Sequence, residues 1–326
     1  MKTVFIAIEE FAKHSNMPLK ILESHGFKII LNKEGTAPTP QTHRDDYLNA
    51  DYVIAGLENY SNEFFRDFIN IKAISRVGVG VDCIDLDSAT KNDVKILITS
   101  DRPSVAVSEL CVSNMISLLR HTFTMSNNLK INNWEPIQGK ELRSCTIGII
   151  GLGSIGKEVA KRVAGFGSNI IGYGRTWNEE FANLFGIKKK TLIEIFQESD
   201  IITIHLPLTP ETDKLITKEL ISVTKPNTLI INTSRAGVID NNAVAEALRQ
   251  KHLGGAAVDV FEEEKDPYPY GSLENVILTP HIGSHTLETR KAMEEMAAEN
   301  LVMFDSLSSN EESSKITDYI QKHSVN

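Results

Sequence analysis

Three polar stretches interrupt an otherwise apolar second half of the chain: Asn232-Thr233-Ser234-Arg235-Ala236-Gly237, Asp259-Val260-Phe261-Glu262-Glu263-Glu264 and Thr279-Pro280-His281-Ile282-Gly283-Ser284. Each directly follows an apolar run that reads as a strand. Together they offer a guanidinium, several carboxylates and an imidazole. A cation can clamp an anion and polarise a carbonyl. An imidazole can give and take a proton near neutral pH, and a carboxylate beside it favours its charged form. These are the parts needed to interconvert a keto acid and a hydroxy acid. The residues themselves leave open which of Glu262, Glu263 and Glu264 partners the imidazole.

A fourth stretch names the companion of that chemistry. The apolar run Cys145–Ile150 leads into Gly151-Leu152-Gly153-Ser154-Ile155-Gly156, and Ser154 to Phe166 has helical character. Strand, Gly-x-Gly-x-x-Gly and helix in this order form a dinucleotide-binding fingerprint. Gly151 permits the tight turn, Gly153 lets a pyrophosphate approach the backbone, and Gly156 lets helix pack on strand. The N–H groups opening the helix, at Ser154 and Ile155, face the anion. An NAD site places an acid after the second strand, to bind the ribose 2′-hydroxyl. Here Ile170–Tyr173 is followed by Gly174-Arg175-Thr176. Without the acid nothing repels a 2′-phosphate; Arg175 can pair with it and Thr176 can donate to it. NADP is therefore expected in preference to NAD.

The elements that must position these residues are legible as an alternation. Strands are expected at Thr3–Ile8, Phe27–Leu31, Asp51–Ala55, Ala73–Val77 and Lys95–Thr99, with helices at Leu19–His25 and Phe64–Ile69. Glu34 to Thr42 reads as a loop. Pro103 opens a helix expected to run to about Ile131, apolar on most sides and so buried. After the fingerprint, strands are expected at Ile170–Tyr173, Ile201–His205, Leu229–Asn232, Ala256–Val260 and Val276–Leu278. A final helix, about His285 to Leu307, is expected to pack back on the first unit. Alternating strands and helices imply parallel sheets. The fold expected is α/β, with two doubly wound parallel-sheet domains. A Rossmann cofactor domain, residues 101–285, is inserted into a smaller flavodoxin-like substrate domain, residues 1–100 and 286–326. The crevice between them is expected to close by hinges near 100 and 285. Ile316, Tyr319 and Ile320 could dock the polar tail, and Lys188-Lys189-Lys190 reads as a solvated face.

Composition bounds the partners. The 326 residues carry a net charge of -9, which disfavours nucleic acid and anionic membranes. No run approaches the ~20 apolar residues of a membrane span, and the short apolar N-terminus reads as a strand rather than a signal peptide. Cys83, Cys111 and Cys145 lack metal or redox spacing and read as reduced thiols in apolar surroundings. A cytoplasmic protein without a metal is expected.

Six stretches in order resemble the D-isomer-specific 2-hydroxyacid dehydrogenases, the family that includes phosphoglycerate dehydrogenase and glyoxylate/hydroxypyruvate reductase. They are Arg76-Val-Gly-Val-Gly-Val-Asp82, Gly151 to Gly156, His205-Leu-Pro-Leu-Thr-Pro-Glu-Thr212, Asn232 to Gly237, Asp259-Val-Phe-x-x-Glu264 and Pro280-His-Ile-Gly-Ser284. The resemblance implies that His281 protonates the carbonyl oxygen and that Glu264 is its partner. It implies that Arg235 holds the carboxylate, joined by the N–H groups of Val79 and Gly80. Asp259 and the Thr233 backbone would orient the nicotinamide amide. His205, Leu206 and Pro207 would line the cofactor's other side, with Thr212 and Gly283 also at the cofactor. A homodimer is implied too, in keeping with the apolar helix from Pro103. Lys265 departs from the family's Pro after the glutamate.

The resemblance also frames the substrate. Arg76 corresponds to an arginine near the substrate phosphate in phosphoglycerate dehydrogenases, but the matching arginine after the third strand is absent and Gly56 occupies that region. The chain also ends without the regulatory domain of longer phosphoglycerate dehydrogenases. The NADP reading fits reduction of glyoxylate- or hydroxypyruvate-like 2-keto acids better; D-3-phosphoglycerate oxidation is the alternative. Formate dehydrogenases carry Gln where Glu264 stands. A dinucleotide-sensing corepressor is the alternative of another class.

Overall fold

The computed structural model describes residues 2–32, 39–263, 265–307 and 323–325. They form two compact units, Met1–Pro103 with Thr286–Asn326, and Ser104–His285.

The first unit is built on five parallel strands: β1 (Thr3–Ile6), β2 (Lys28–Leu31), β3 (Tyr52–Ala55), β4 (Ala73–Arg76) and β5 (Lys95–Ile98). Their order is β2-β1-β3-β4-β5, the flavodoxin-like arrangement. The inner strands are apolar on both faces because both are covered. On one face Phe5, Tyr47, Val53, Phe64 and Phe68 pack together. On the other, Met293, Ala297 and Leu301 of the helix Leu287–Leu307 join Val4, Ile6, Tyr52 and Ile54. Asn300 Nδ2 fastens that helix to the Ile98 carbonyl at 3.1 Å, and the Tyr52 hydroxyl donates to Asp305 at 2.6 Å. Ser324 bridges antiparallel to Leu97.

The second unit holds seven parallel strands: β6 (Thr146–Ile150), β7 (Asn169–Tyr173), β8 (Lys188–Lys189), β9 (Ile201–Ile204), β10 (Thr228–Asn232), β11 (Leu253–Val258) and β12 (Val276–Leu278). Their order, β12-β11-β10-β9-β6-β7-β8, is that of a dinucleotide-binding sheet, reversing direction between β6 and β9. The helix Ser104–Leu119 contributes Val107, Cys111, Val112 and Met115 to the core beneath Ile147, Ile149, Ile201 and Ile231, which explains its broad apolar surface. The doubly wound α/β architecture expected from the alternation is the one observed.

Several local expectations are corrected. The helix from Pro103 does not continue to Ile131. It stops at Leu119, His121 takes a left-handed φ of 51°, and a second helix spans Thr122–Lys130. Lys188 and Lys189 are exposed, as a solvated face should be, but they form the edge strand β8; lysines discourage further pairing there. The polar helices Arg44–Leu48 and Leu86–Lys91 carry too little periodicity to announce themselves. Of the expected loop at 34–42, residues 34–38 lie outside the described residues, as do Ile316, Tyr319 and Ile320.

Candidate active site

The glycine fingerprint sits where the second sheet reverses direction. Gly151 ends β6 with φ +96°, and a Cβ there would lie 2.4 Å from the His205 carbonyl oxygen at the end of β9. A Cβ at Gly156 would lie 2.0 Å from the Gly151 carbonyl oxygen. Both glycines are thus required by the protein's own packing. Gly153 is not: a Cβ there would meet nothing within 4 Å. It is exposed, as is Ser154, at the mouth of the helix Ser154–Gly165, where no side chain caps the helix. A glycine with no steric cause inside the protein, at the start of a helix, fits an anionic ligand lying close to the backbone. Ile155 follows in the first helical turn.

The end of β7 lies beside this loop. A Cβ at Gly174 would be 3.6 Å from the Leu152 nitrogen, so this is the position an acid would occupy. Arg175 and Thr176 are exposed. The Thr209 hydroxyl and, less strongly, the Arg175 charge hold the Glu211 carboxyl below its usual range. Arg175 therefore has an acidic neighbour that the sequence did not reveal. Thr212 pins the same loop, donating to the Pro207 carbonyl at 2.6 Å and accepting from the Thr209 nitrogen at 2.8 Å. A Cβ at Gly151 would touch Leu206 Cδ2 at 3.1 Å.

His205 is a silent imidazole. Its Nε2 meets Thr203 Oγ1 at 2.9 Å, its Nδ1 is buried without a hydrogen bond, and burial pushes its pKa down to about 3. Cys111 is silent as well. Its Sγ lies 3.1 Å from Thr233 Oγ1, and burial pushes the thiol up to about 12. Cys83 packs against the first unit's core, as expected, and burial raises its thiol while the Arg76 charge opposes the rise.

The three polar loops follow β10, β11 and β12, all at carboxyl ends. Buried Asn232 shapes the first: its Oδ1 accepts from the Ser234 nitrogen at 3.0 Å and hydroxyl at 2.8 Å, and its Nδ2 donates to the Arg235 carbonyl at 3.0 Å. Arg235 is half-buried, and its Nη1 donates to the Ser234 carbonyl at 2.7 Å. Asp259, 1 % exposed, dominates the other two. Its Oδ1 accepts from Thr279 Oγ1 at 2.5 Å and the Ile282 nitrogen at 2.9 Å, and its Oδ2 from the Gly283 nitrogen at 2.8 Å. A carboxylate has about four acceptor positions, so roughly one is left for a ligand. Between these anchors His281 is exposed, with a left-handed φ of 53°. It is not a core histidine. Glu264 lies outside the described residues.

One tie between loops has no signal in the sequence. Asn241 Nδ2 donates to the Ala236 carbonyl at 3.1 Å and to Glu262 Oε1 at 3.3 Å, while the Tyr270 hydroxyl donates to Asn241 Oδ1 at 2.9 Å. Nothing in the sequence pairs residues this far apart. In the first unit, Val79 is exposed and Gly80 half-buried after β4, and the buried Arg76 guanidinium folds over Gly78. Among the described residues no group of three or more His, Cys, Asp or Glu side chains is placed to hold a metal. No helix among them is long and apolar enough to cross a membrane.

The fold and these loops define a class. A family model described as "D-isomer specific 2-hydroxyacid dehydrogenase, NAD binding domain" matches residues 112–283, and the chain belongs to that family. It is 41% identical over 292 residues to D-3-phosphoglycerate dehydrogenase of Methanocaldococcus jannaschii, covering 87% of this chain and 54% of that protein. The chain thus spans about half the length of that relative. It is 34% identical over 299 residues to glyoxylate reductase of Thermococcus litoralis, covering 88% of this chain and 89% of the relative. Among solved structures, a glyoxylate reductase from Paecilomyes thermophila superposes with a TM-score of 0.85 at 25% identity, covering 96% of this chain and 97% of that one. The resemblance read from the six stretches is confirmed.

Two measurements check this geometry. Gly153→Ala should leave the melting temperature within about 2 °C of wild type yet weaken dinucleotide binding at least tenfold by calorimetry. Gly156→Ala should lower the melting temperature itself, because the Gly151 carbonyl must move. Equal effects on melting would contradict the assignment. For His205, the unfolded chain takes up a proton near the ordinary value of 6.5 and the folded chain only near 3. Stability should therefore fall with pH below about 6.5, by up to about 1.4 kcal/mol per pH unit. Urea unfolding at pH 7 and pH 5 should show His205→Gln losing about 2 kcal/mol less than wild type; equal losses would contradict the neutral ring.

Proposed function

We propose that this chain reduces small 2-keto acids of the glyoxylate and hydroxypyruvate type to D-2-hydroxy acids, using NADPH in preference to NADH. The observation that carries the reading is the loop after β12. There a buried carboxylate, Asp259, spends three hydrogen bonds to present an exposed imidazole, His281, in a backbone conformation that costs about 1 kcal/mol. A surface histidine without a task has no reason to be held so firmly. The first unit carries a Gly-Val-Gly loop after β4, and the second carries the dinucleotide cradle.

Each residue then has a role. The fingerprint N–H groups at Gly153, Ser154 and Ile155 hold the pyrophosphate, and the remaining acceptor position of Asp259 orients the carboxamide with the Thr233 backbone. His205 to Pro207, Thr212 and Gly283 border the ring. Arg175 pairs with the 2′-phosphate, with Thr176 as a donor. When bound, the nicotinamide supplies a hydride to the carbonyl carbon. His281 gives a proton to the carbonyl oxygen, and Glu264 favours the protonated ring. Arg235 and the N–H groups of Val79 and Gly80 neutralise the substrate carboxylate, which lowers the charge cost of forming the alkoxide.

The glyoxylate reductases among the relatives support this substrate class. Their D-3-phosphoglycerate dehydrogenase counterpart, with Arg76 of this chain, keeps phosphoglycerate oxidation as the second reading. A second copy of the chain covers the exposed Phe123, Leu129, Ile131 and Trp134, giving a homodimer. Free cysteines accord with a cytoplasmic setting.

A panel of 2-keto acids assayed with both cofactors tests the proposal. Glyoxylate and hydroxypyruvate should turn over, with kcat/KM at least tenfold higher for NADPH. His281→Ala should lose about 10²–10⁴-fold in kcat. Arg175→Ala should erase most of the NADPH advantage while sparing NADH. A wild-type preference for NADH would overturn the cofactor assignment. Tight dinucleotide binding without turnover of any acid would instead support a sensor.

A further inference from the structure

The first unit carries a carboxylate and a guanidinium that the proposed reaction leaves unused. Its strand order reverses between β1 and β3, so its switch point lies where Ile8 and Gly56 leave those strands. Ligands of open α/β sheets bind outside the carboxyl ends at such points. A carboxylate stands there. The Gly56 N–H donates to Glu58 Oε2 at 2.6 Å, and the Tyr60 hydroxyl donates to the same oxygen at 3.5 Å. The side chain folds back over Gly56, so that a Cβ at 56 would lie 3.1 Å from Oε1 and 3.3 Å from Ile8 Cγ1. Glu58 fills the space into which any side chain at 56 would project.

Arg76 closes the arrangement from the next strand. Its Nη1 donates to the Val77 carbonyl at 2.8 Å. A Cβ at Gly78 would fall 1.3 Å from Nη1, so only glycine leaves room for the guanidinium. The Arg76 charge acts on the Glu58 carboxyl, opposing the upward push of burial, and also acts on Cys83. Burial has the larger effect and leaves the carboxyl above its usual range; the register that pairs Ala55 with Arg76 puts the two side chains at neighbouring strand ends beside the Gly-Val-Gly loop.

We propose that Glu58 determines substrate charge, rejecting 2-keto acids that carry a phosphate on the third carbon and admitting those with hydrogen or a hydroxyl there. A lone arginine at this switch point would attract a phosphate. With Glu58 beside it, an entering phosphate meets a like charge at close range in a partly buried setting. A hydroxyl can instead donate to the carboxylate. The missing arginine after β3 is thus replaced by an opposing charge rather than by empty space. The inference rests on the proposed keto-acid reduction for the nature of the substrate.

The test compares wild type with Glu58→Gln, which keeps the shape and an acceptor for the Gly56 N–H. kcat/KM is measured for hydroxypyruvate and for 3-phosphohydroxypyruvate. Calorimetry measures binding of D-glycerate and D-3-phosphoglycerate, which needs no turnover. Wild type should favour the unphosphorylated acid. The variant should gain at least tenfold for the phosphorylated one, in rate and in affinity, with hydroxypyruvate changed less than threefold. A wild type that favours the phosphorylated acid, or a ratio unmoved by the substitution, overturns the proposal. If neither acid turns over, the proposed reduction fails, and calorimetry alone decides: a tenfold gain for D-3-phosphoglycerate supports the role of Glu58 and no gain overturns it. Glu58→Ser is read in the same way should the glutamine variant not fold.

Discussion

One buried carboxylate holds the candidate site together. Asp259 leaves the end of β11, is almost fully withdrawn from water, and accepts hydrogen bonds from Thr279, Ile282 and Gly283 in the loop beyond β12. Hydrogen bonds to an ionised acceptor are stronger than neutral ones. They offset the cost of burying the charge and of holding His281 at positive φ. Because the anchors flank His281 on both sides, the imidazole has little freedom to drift. The same residue keeps about one acceptor position open, so one side chain can serve both the loop and a ligand.

The sheets explain why such loops gather at one end. In a parallel sheet every strand delivers its following loop to the same edge, and the strand order opens a gap where the chain reverses direction. In the second unit that gap lies between β6 and β9, and the glycine fingerprint fills it. Around it the protein silences groups that could compete for protons. Burial keeps His205 neutral and Cys111 a thiol. His281, by contrast, stands exposed. In the first unit the corresponding gap holds the Glu58 carboxylate, bound by the Gly56 N–H.

What was legible in the sequence follows from what is local. Apolar runs bounded by glycine and polar residues located the strands, with Val276–Leu278 placed to the residue. β11 begins at Leu253 and ends at Val258, earlier at both ends than the expected Ala256–Val260, because Gly254 and Gly255 look unlike a strand; a Cβ at Gly254 would lie 2.7 Å from the Asn227 carbonyl oxygen, so close packing demands glycine there. The break at His121 was hidden, since apolar composition continues past it and only a backbone angle marks the end. At the site, residue types and motif order pointed to Arg235, Asp259 and His281. The bonds that make Asp259 an anchor, the Asn241–Tyr270 tie and the fold of Glu58 over Gly56 were not legible. They depend on which side chains meet in space, and no local pattern encodes that.

The account stands most directly on the anchoring of the His281 loop by Asp259. Amide hydrogen exchange in Asp259→Asn measures it, because the new amide group faces the Gly283 N–H with a donor instead of an acceptor. Exchange at Gly283 and Ile282 should speed up at least tenfold while the amides of β6 and β9 keep their protection. Unchanged protection at Gly283 and Ile282 would show that the loop is held by something else, and would contradict the account.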